Sequence, residues 1–325
     1  MTERVLAIDG GNSKTAVALV DVAGRVLAQV RGPGASPQNV GLARSREVFD
    51  SLVRETARRA GLSPDERIAT HTAAYLAGAD LPKEEEDLTA ALAGLWSETI
   101  VVGNDTFALL RAGTSDGVGV AVVCGAGINC VGVAADGRTH RFPALGRISG
   151  DWGGGSHLGA EALWLAVRAE DGRGEPTALV AALKAHYGVR SIADAVESLH
   201  FGKVEFDPHP LCPLLFSVAR DGDAVARRVV DRLVEEITLL AGVSLRRLGL
   251  LGEAVDVVLG GGVVTGTDVA RFVASSLSAT APLARVRVVD VPPVVGAALL
   301  GLDALNADPS AEARLRAAYE PLSVD

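Results

Sequence analysis

At 325 residues the chain is long enough for two domains, and a hydrophobic content of 48% places it among globular folds. A net charge of −9 argues against a nucleic-acid partner, and no apolar run of about 20 residues is present that would cross a membrane. Three cysteines, an odd number without framework spacing, fit a reducing cytoplasm, and the N-terminus enters a strand by Arg4 with no signal-peptide pattern.

The first predicted strand, Val5–Asp9, runs into Ile8-Asp9-Gly10-Gly11-Asn12-Ser13-Lys14-Thr15, and strands Thr15–Asp21 and Val26–Arg31 follow. A turn with two glycines exposes backbone N–H groups that no Cβ obstructs, and such groups bind phosphate oxygens. Gly10, Gly11, Asn12, Ser13, Lys14 and Thr15 are therefore candidate phosphate-binding residues, and Asp9 is a candidate magnesium ligand acting through water. The segment by itself also fits an ordinary hairpin turn. A polar loop, Gly32–Gly41, contains Ser36, Gln38 and Asn39. Helical periodicity covers Ser45–Ala60 and Glu84–Leu95, with strands at Ile68–Ala74 and Thr99–Gly103, and Lys83–Asp87 reads as a solvated helix start. The last of these strands ends in Asn104-Asp105-Thr106 ahead of a helix. Asp105 reads as a helix cap or as a carboxylate at the strand end where ligands bind in such sheets, and the two are compatible if Asn104 or Thr106 makes the cap.

The second half repeats the pattern of the first. Strand Val118–Val123 leads into Cys124-Gly125-Ala126-Gly127-Ile128-Asn129-Cys130, then a second strand and the turn Asp136-Gly137-Arg138, which matches Asp21 to Arg25 in the first copy. Gly146 to Gly159 holds glycines around Asp151 and Trp152, an irregular backbone that opens a helix. Predicted helices follow at Leu158–Glu170, Glu175–His186, Ile192–His200 and Ala224 to about Arg247. His200, His209 and Cys212 fall in a loop-like stretch with no fourth zinc ligand at the usual spacing. Cys124 and Cys130 read as small buried thiols. A third glycine turn, Gly260-Gly261-Gly262, follows strand Val255–Leu259 and precedes a helix from near Asp268. Strand Val286–Val291 and a small-residue helix from Pro292 to Gly301 close the chain.

In order and spacing these motifs resemble the sugar-kinase/Hsp70/actin superfamily of ATPases. More narrowly they resemble the BadF/BadG/BcrA/BcrD group, which includes N-acetylglucosamine and glucosamine kinases. The resemblance implies an α/β fold of two RNase H-like domains, each a mixed sheet flanked by helices, with a cleft between them. The first domain would span 1–113, completed by a C-terminal helix at about 293–325, and the second 114–292, with a helical insertion. It implies ATP and Mg²⁺ as cofactors, with the backbone of Gly125, Ala126, Gly127, Gly261 and Gly262 facing the nucleotide. Asp105 matches the aspartate that takes the sugar hydroxyl proton, Asp151 one that binds sugar hydroxyls, and Asn129 a sugar-facing amide. Ser36 stands where a sugar-gripping asparagine is usual, with Gln38 and Asn39 near enough to substitute. Trp152 replaces a glutamate and Gly154 a serine, and Ala126 and Ile128 replace hydroxyl residues of the second turn.

The activity expected is transfer of the γ-phosphoryl of ATP to O6 of glucosamine, with N-acetylglucosamine as the alternative substrate. An iron–sulfur ATPase that activates a radical dehydratase and a nucleotide-binding sugar sensor are the alternatives of another class. The partner is a small amino sugar, neither nucleic acid nor membrane, and a homodimer is left open.

Overall fold

The computed structural model describes residues 3–289 and 291–319. In chain order the first elements are β1 (Arg4–Gly10), β2 (Lys14–Asp21), β3 (Val26–Pro33), α1 (Pro37–Val40), α2 (Leu42–Arg59), β4 (Ala69–Leu76), α3 (Pro82–Leu92), β5 (Ser97–Asn104) and α4 (Asp105–Gly113). The next are β6 (Gly119–Cys124), β7 (Ile128–Val133), β8 (Thr139–Arg141), α5 (Gly155–Glu170), α6 (Leu179–Tyr187), α7 (Ile192–His200), α8 (Leu211–Arg220) and α9 (Ala224–Leu248). The last are β9 (Asp256–Gly260), α10 (Val269–Leu277), β10 (Arg285–Val288), α11 (Pro293–Ala304) and α12 (Ser310–Ala317).

Two five-stranded sheets carry these elements, in the orders β3-β2-β1-β4-β5 and β10-β9-β6-β7-β8. Read from β8, the second order is the first one repeated, so the glycine-turn repeat seen in the sequence is a repeat of topology. In the first sheet β1, β2 and β3 form an antiparallel meander, and β4 pairs parallel to both β1 and β5. The chain divides into two compact units, 1–121 with 131–143 and 289–325, and 122–130 with 144–288. The stretch 131–143, which the sequence reading grouped with the second domain, counts with the first unit.

Alternate residues of β1 and β2 feed two different cores, which is why both strands read as unbroken apolar runs. Leu6, Ile8, Val17 and Leu19 pack with Phe49, Leu52 and Val53 of α2. Val5, Ala7, Ala18 and Val20 pack on the other face with Val295, Ala298 and Leu302 of α11. The small residues of α11 let it approach closely: a Cβ on Gly296 would lie 1.8 Å from the carbonyl oxygen of Ala108 in α4. In the second unit α9 buries the stripe Val229, Leu233, Ile237, Ala241 and Leu245. Asp223 caps its start by accepting from the Ala226 N–H at 2.8 Å, and left-handed Gly249 ends it.

Several expectations change. In the stretch containing His200, His209 and Cys212, His200 ends α7 and Cys212 lies in α8, while 201–210 between them, with His209, is loop and turn. The predicted helix from Glu175 begins at Leu179, the polar loop holds the single turn α1, and the last strand ends at Val288. The C-terminal helix is two helices, α11 and α12, broken at Asn306, whose φ is 51°. Asp290 of the expected strand Val286–Val291, and 320–325 of the expected C-terminal helix, lie outside the described residues.

Candidate active site

Strands β1, β4 and β5 run parallel, and their register places Gly10 beside Leu76 and Leu76 beside Asn104. Three strands thus end together, and an acidic residue stands at or just beyond each end: Asp9, Asp80 and Asp105. The carboxyl ends of parallel strands are where such sheets bind ligands. Asp9 is buried, and burial raises its pKa to about 7 against the opposing pull of Lys14 and Arg31. Asp105 is also raised to about 7, by burial first and then by the charges of Asp9 and Asp80. Asp80 rises to about 6, again chiefly through burial.

Asn104, rather than Asp105, makes the cap at this strand end. Its Oδ1 accepts from the Thr106 N–H at 3.0 Å and from the Thr106 hydroxyl at 2.5 Å, so Asn104 is the N-cap of α4. Asp105 is left at the first helical position, where its own N–H and that of Thr106 partly offset the rise in its pKa. The Asn104 amide nitrogen donates to Asp80 Oδ1 at 2.7 Å, and the Gln38 amide donates to Asp80 Oδ2 at 2.9 Å. Glu84 caps α3 by accepting from the Asp80 and Leu81 N–H groups, each at 2.9 Å. Arg141 donates to the carbonyls of Ala79 and Asp80 and pairs with Glu85 at 2.7 Å.

The first glycine turn is tight. The Gly11 N–H donates to the Lys14 carbonyl at 2.9 Å, and a Cβ on Gly10 would lie 2.6 Å from Leu76. Asn12, Ser13 and Lys14 are exposed, whereas the Thr15 hydroxyl is buried without a partner. The neighbouring loop leans on this turn: the Ala35 N–H donates to the Gly11 carbonyl, and the Asn39 amide to Asn12 Oδ1 at 3.0 Å. Ser36 is buried, and its hydroxyl also lacks a partner. Asp9, Gly10 to Thr15, Ser36, Gln38, Asn39 and Asp105 are therefore assembled within the first unit.

The second group assembles in the other unit. The turn Gly125–Gly127 is supported from two sides. The Gly155 N–H donates to the Gly125 carbonyl at 2.7 Å and the Ser156 N–H to the Ala126 carbonyl at 3.1 Å, while the Val263 N–H donates to the Cys124 carbonyl at 3.1 Å. A Cβ on Gly154 would lie 2.5 Å from the Gly127 Cα, and one on Gly261 would lie 2.4 Å from the Cys124 carbonyl oxygen. Both residues have positive φ, so glycine is dictated there by backbone geometry. Cβ positions on Gly125, Gly127 and Gly262 meet nothing within 4 Å, so these backbones are open to approach.

Asp151 is partly committed to its own loop. Its Oδ2 accepts from the Ser149 hydroxyl at 2.6 Å and the Gly146 N–H at 2.9 Å. Asn129 Oδ1 accepts from the Cys130 N–H at 2.7 Å. Trp152 is buried with the Arg232 guanidinium 4.3 Å over its ring. All three cysteines are buried and free, and burial pushes Cys124 and Cys130 up to about 12 and Cys212 up to about 11, so they remain neutral thiols.

Among the described residues no group of three or more His, Cys, Asp or Glu side chains forms a metal cage. A hydrated magnesium ion asks for less, one or two carboxylates with the remaining ligands from water and phosphate. Asp9 and Asp105 fit that demand, because a cation beside them offsets the repulsion and burial that raise Asp105. Asp80 was missed in the sequence. The sign of it was Leu76-Ala77-Gly78-Ala79-Asp80, an apolar strand closing in a glycine turn and an acid, as the first strand does.

The model of the BadF/BadG/BcrA/BcrD ATPase family matches residues 6–301. An N-acetylmuramic acid/N-acetylglucosamine kinase of Clostridium acetobutylicum is 29% identical over 80% of this chain and 85% of its own length. An N-acetyl-D-glucosamine kinase of Dictyostelium discoideum is 24% identical over 93% of this chain and 98% of its own. Among solved structures, a putative N-acetylglucosamine kinase from Chromobacterium violaceum superimposes with a TM-score of 0.73 at 22% identity, covering 92% of this chain and 99% of that one. A ROK family glucokinase from Streptomyces griseus, solved with glucose and AMPPNP, gives 0.56 at 16% identity over 91% and 98%. These two likenesses speak for the fold.

Proposed function

The chain belongs to the BadF/BadG/BcrA/BcrD ATPase family, and from that membership and the site we propose that it is an ATP-dependent amino-sugar kinase. The observation that carries the proposal is the Asp105 carboxyl, freed from capping by Asn104 and raised to about 7. A general base works best when its pKa lies near the operating pH. Asp105 takes the proton of the sugar hydroxyl as that oxygen attacks the γ-phosphorus. Asp9 would hold a hydrated magnesium ion, which would offset charge on the phosphates. The turns at Gly10–Thr15, Gly125–Gly127 and Gly261–Gly262 bind phosphate oxygens through backbone N–H groups other than those of Gly11 and Gly125, which already donate to the Lys14 and Gly127 carbonyls, with Lys14 adding a cation. Asp151 and Asn129 hold sugar hydroxyls. Gln38 orients Asp80 beside the base, and Ser36 and Asn39 shape the loop that carries Gln38.

N-acetylglucosamine is the substrate supported by the curated relatives, both named as kinases of N-acetylated sugars. Glucosamine is a second reading, favoured by the acidic group of Asp9, Asp80 and Asp105, whose field suits an ammonium at C2. The acceptor in either case is a primary hydroxyl, O6. ADP formation from MgATP, measured over N-acetylglucosamine, N-acetylmuramic acid, glucosamine, mannosamine and glucose, tests the proposal. Phosphorylation of an amino sugar at least tenfold faster than glucose is expected. No sugar-dependent ADP formation over the panel would refute it.

A further inference from the structure

His209 reaches a hydroxyl that the kinase reading leaves without a role. Its Nε2 lies 3.1 Å from the Ser156 hydroxyl, and its Nδ1 lies 2.9 Å from Asp207 Oδ1. The same carboxylate oxygen accepts from the His209 backbone N–H at 3.0 Å, which fixes the loop holding the ring. With Asp207 accepting from Nδ1–H, the Nε2 lone pair points at the hydroxyl, the tautomer a general base needs. Gly159 explains how this loop reaches α5: a Cβ there would sit 1.9 Å from the Pro208 carbonyl oxygen. Gly159 and Ser156 are three residues apart and share a helix face, so the close approach at one delivers His209 to the other. Ser156 in turn lies against the second glycine turn through its N–H bond to Ala126.

We propose that Ser156, His209 and Asp207 form a nucleophilic relay, in which Ser156 accepts a phosphoryl group from a nucleoside triphosphate held at Gly125–Gly127. The proposal rests on the reading that this turn binds phosphates. The Ser156 Oγ–Pγ bond forms as the bond from Pγ to the β-phosphate oxygen breaks. The hydroxyl proton passes to His209 Nε2, Asp207 balances the imidazolium, and a nucleoside diphosphate leaves. Acyl transfer is the poorer reading of the same triad. It needs paired N–H donors for an oxyanion, and the Gly155 and Ser156 N–H groups are already engaged by the Gly125 and Ala126 carbonyls.

The test incubates the full chain with γ-labelled MgATP and no sugar, and maps the label by peptide mass spectrometry. Fluorescent-ATP binding and sugar-dependent turnover are measured on the same samples. Label at Ser156 is expected in the wild type, absent in Ser156→Ala and reduced about 10²-fold in His209→Ala, the usual effect of losing a general base. Both variants should bind ATP, since the Ser156 N–H that supports the turn is kept. A fluorophosphonate, which needs no nucleotide site, should label the same serine with the same dependence on His209. An unlabelled Ser156 in a protein that binds ATP and phosphorylates sugar overturns the relay and leaves the kinase standing. Failure to bind ATP overturns both readings, and fluorophosphonate labelling then reports whether Ser156 is a nucleophile of another kind.

Discussion

Replacing Asp105 by Asn should make the protein slower and more stable, and the stability gain should depend on pH. The Asp105 carboxyl is raised from 3.8 to about 7 by burial, Asp9 and Asp80. Each pH unit between those values represents about 1.4 kcal/mol, so holding it ionised at pH 8 costs the fold on the order of 4 kcal/mol. Below about pH 4 the group is protonated in folded and unfolded chains alike, and the substitution is nearly neutral. As pH rises from 4 to 7 the unfolded chain ionises first, and the wild type loses stability that the variant keeps. Above 7 the difference levels off. That figure is already net of the N–H groups at the start of α4 that favour the carboxylate, so the gain at pH 8 is roughly 4 kcal/mol. Urea unfolding of both proteins from pH 4 to 8.5, without nucleotide or metal, measures the difference. Sugar phosphorylation in the variant should fall by about 10²–10⁴ while ATP binding persists. A variant no more stable than wild type at pH 8, or a difference flat in pH, would refute the charge argument. Near-normal turnover would refute Asp105 as the base.

Other outcomes follow from the same structure. The kcat/KM of the wild type should rise with pH through a limb at or below about 7 and lose that limb in Asp105→Asn, because the base must be unprotonated. Arg111, buried in α4, donates to Asp303 of α11 and Glu312 of α12; Arg111→Met should lower unfolding free energy by about 3 kcal/mol, and an unchanged urea midpoint would show the network to be idle. Gly261→Ala should destabilise the fold, since its Cβ meets the Cys124 carbonyl oxygen, whereas Gly262→Val should leave the fold intact and weaken ATP binding. Equal unfolding midpoints for the two, or undiminished ATP affinity in Gly262→Val, would contradict that division.

The repeat of strand, glycine turn and strand was legible because it depends on local patterns, apolar runs ended by residues that free the backbone. What escaped depended on helix ends. Helix α8 begins inside the stretch read as loop-like, and Pro213, its third residue, sits where a missing N–H leaves no bond unmade. The break between α11 and α12 rests on Asn306 in the left-handed region, a conformation asparagine tolerates but does not announce. Helix α1 has the expected serine before proline, but a single turn carries no periodicity. In the site, Asp9 and Asp105 could be read because each ends a predicted strand. Asp80 could not, because its position beside them depends on β4 pairing between β1 and β5.

The departures from the family pattern now divide by physical cause, and the division bears on substrate choice. Gly154 stands where a serine is usual, but its positive φ and the nearness of Gly127 exclude any side chain, so it carries no information about the sugar. Trp152 packs beneath Arg232 within its own unit, which accounts for its size without a sugar acetyl group. Ser36 is enclosed, with its hydroxyl directed toward Gly78, where a Cβ would come within 2.8 Å; the loop's outward polar contact is made by Gln38 instead. These three positions therefore give no basis for preferring glucosamine, and what speaks for it is the acidic group. That leaves a sharp discriminator. Asp80→Asn removes one of the two charges that raise Asp105 and keeps a polar side chain between Gln38 and Asn104. If an ammonium is read there, the ratio of glucosamine to N-acetylglucosamine kcat/KM should fall at least tenfold. If the acetylated sugar is the substrate, both efficiencies should change together and their ratio should hold.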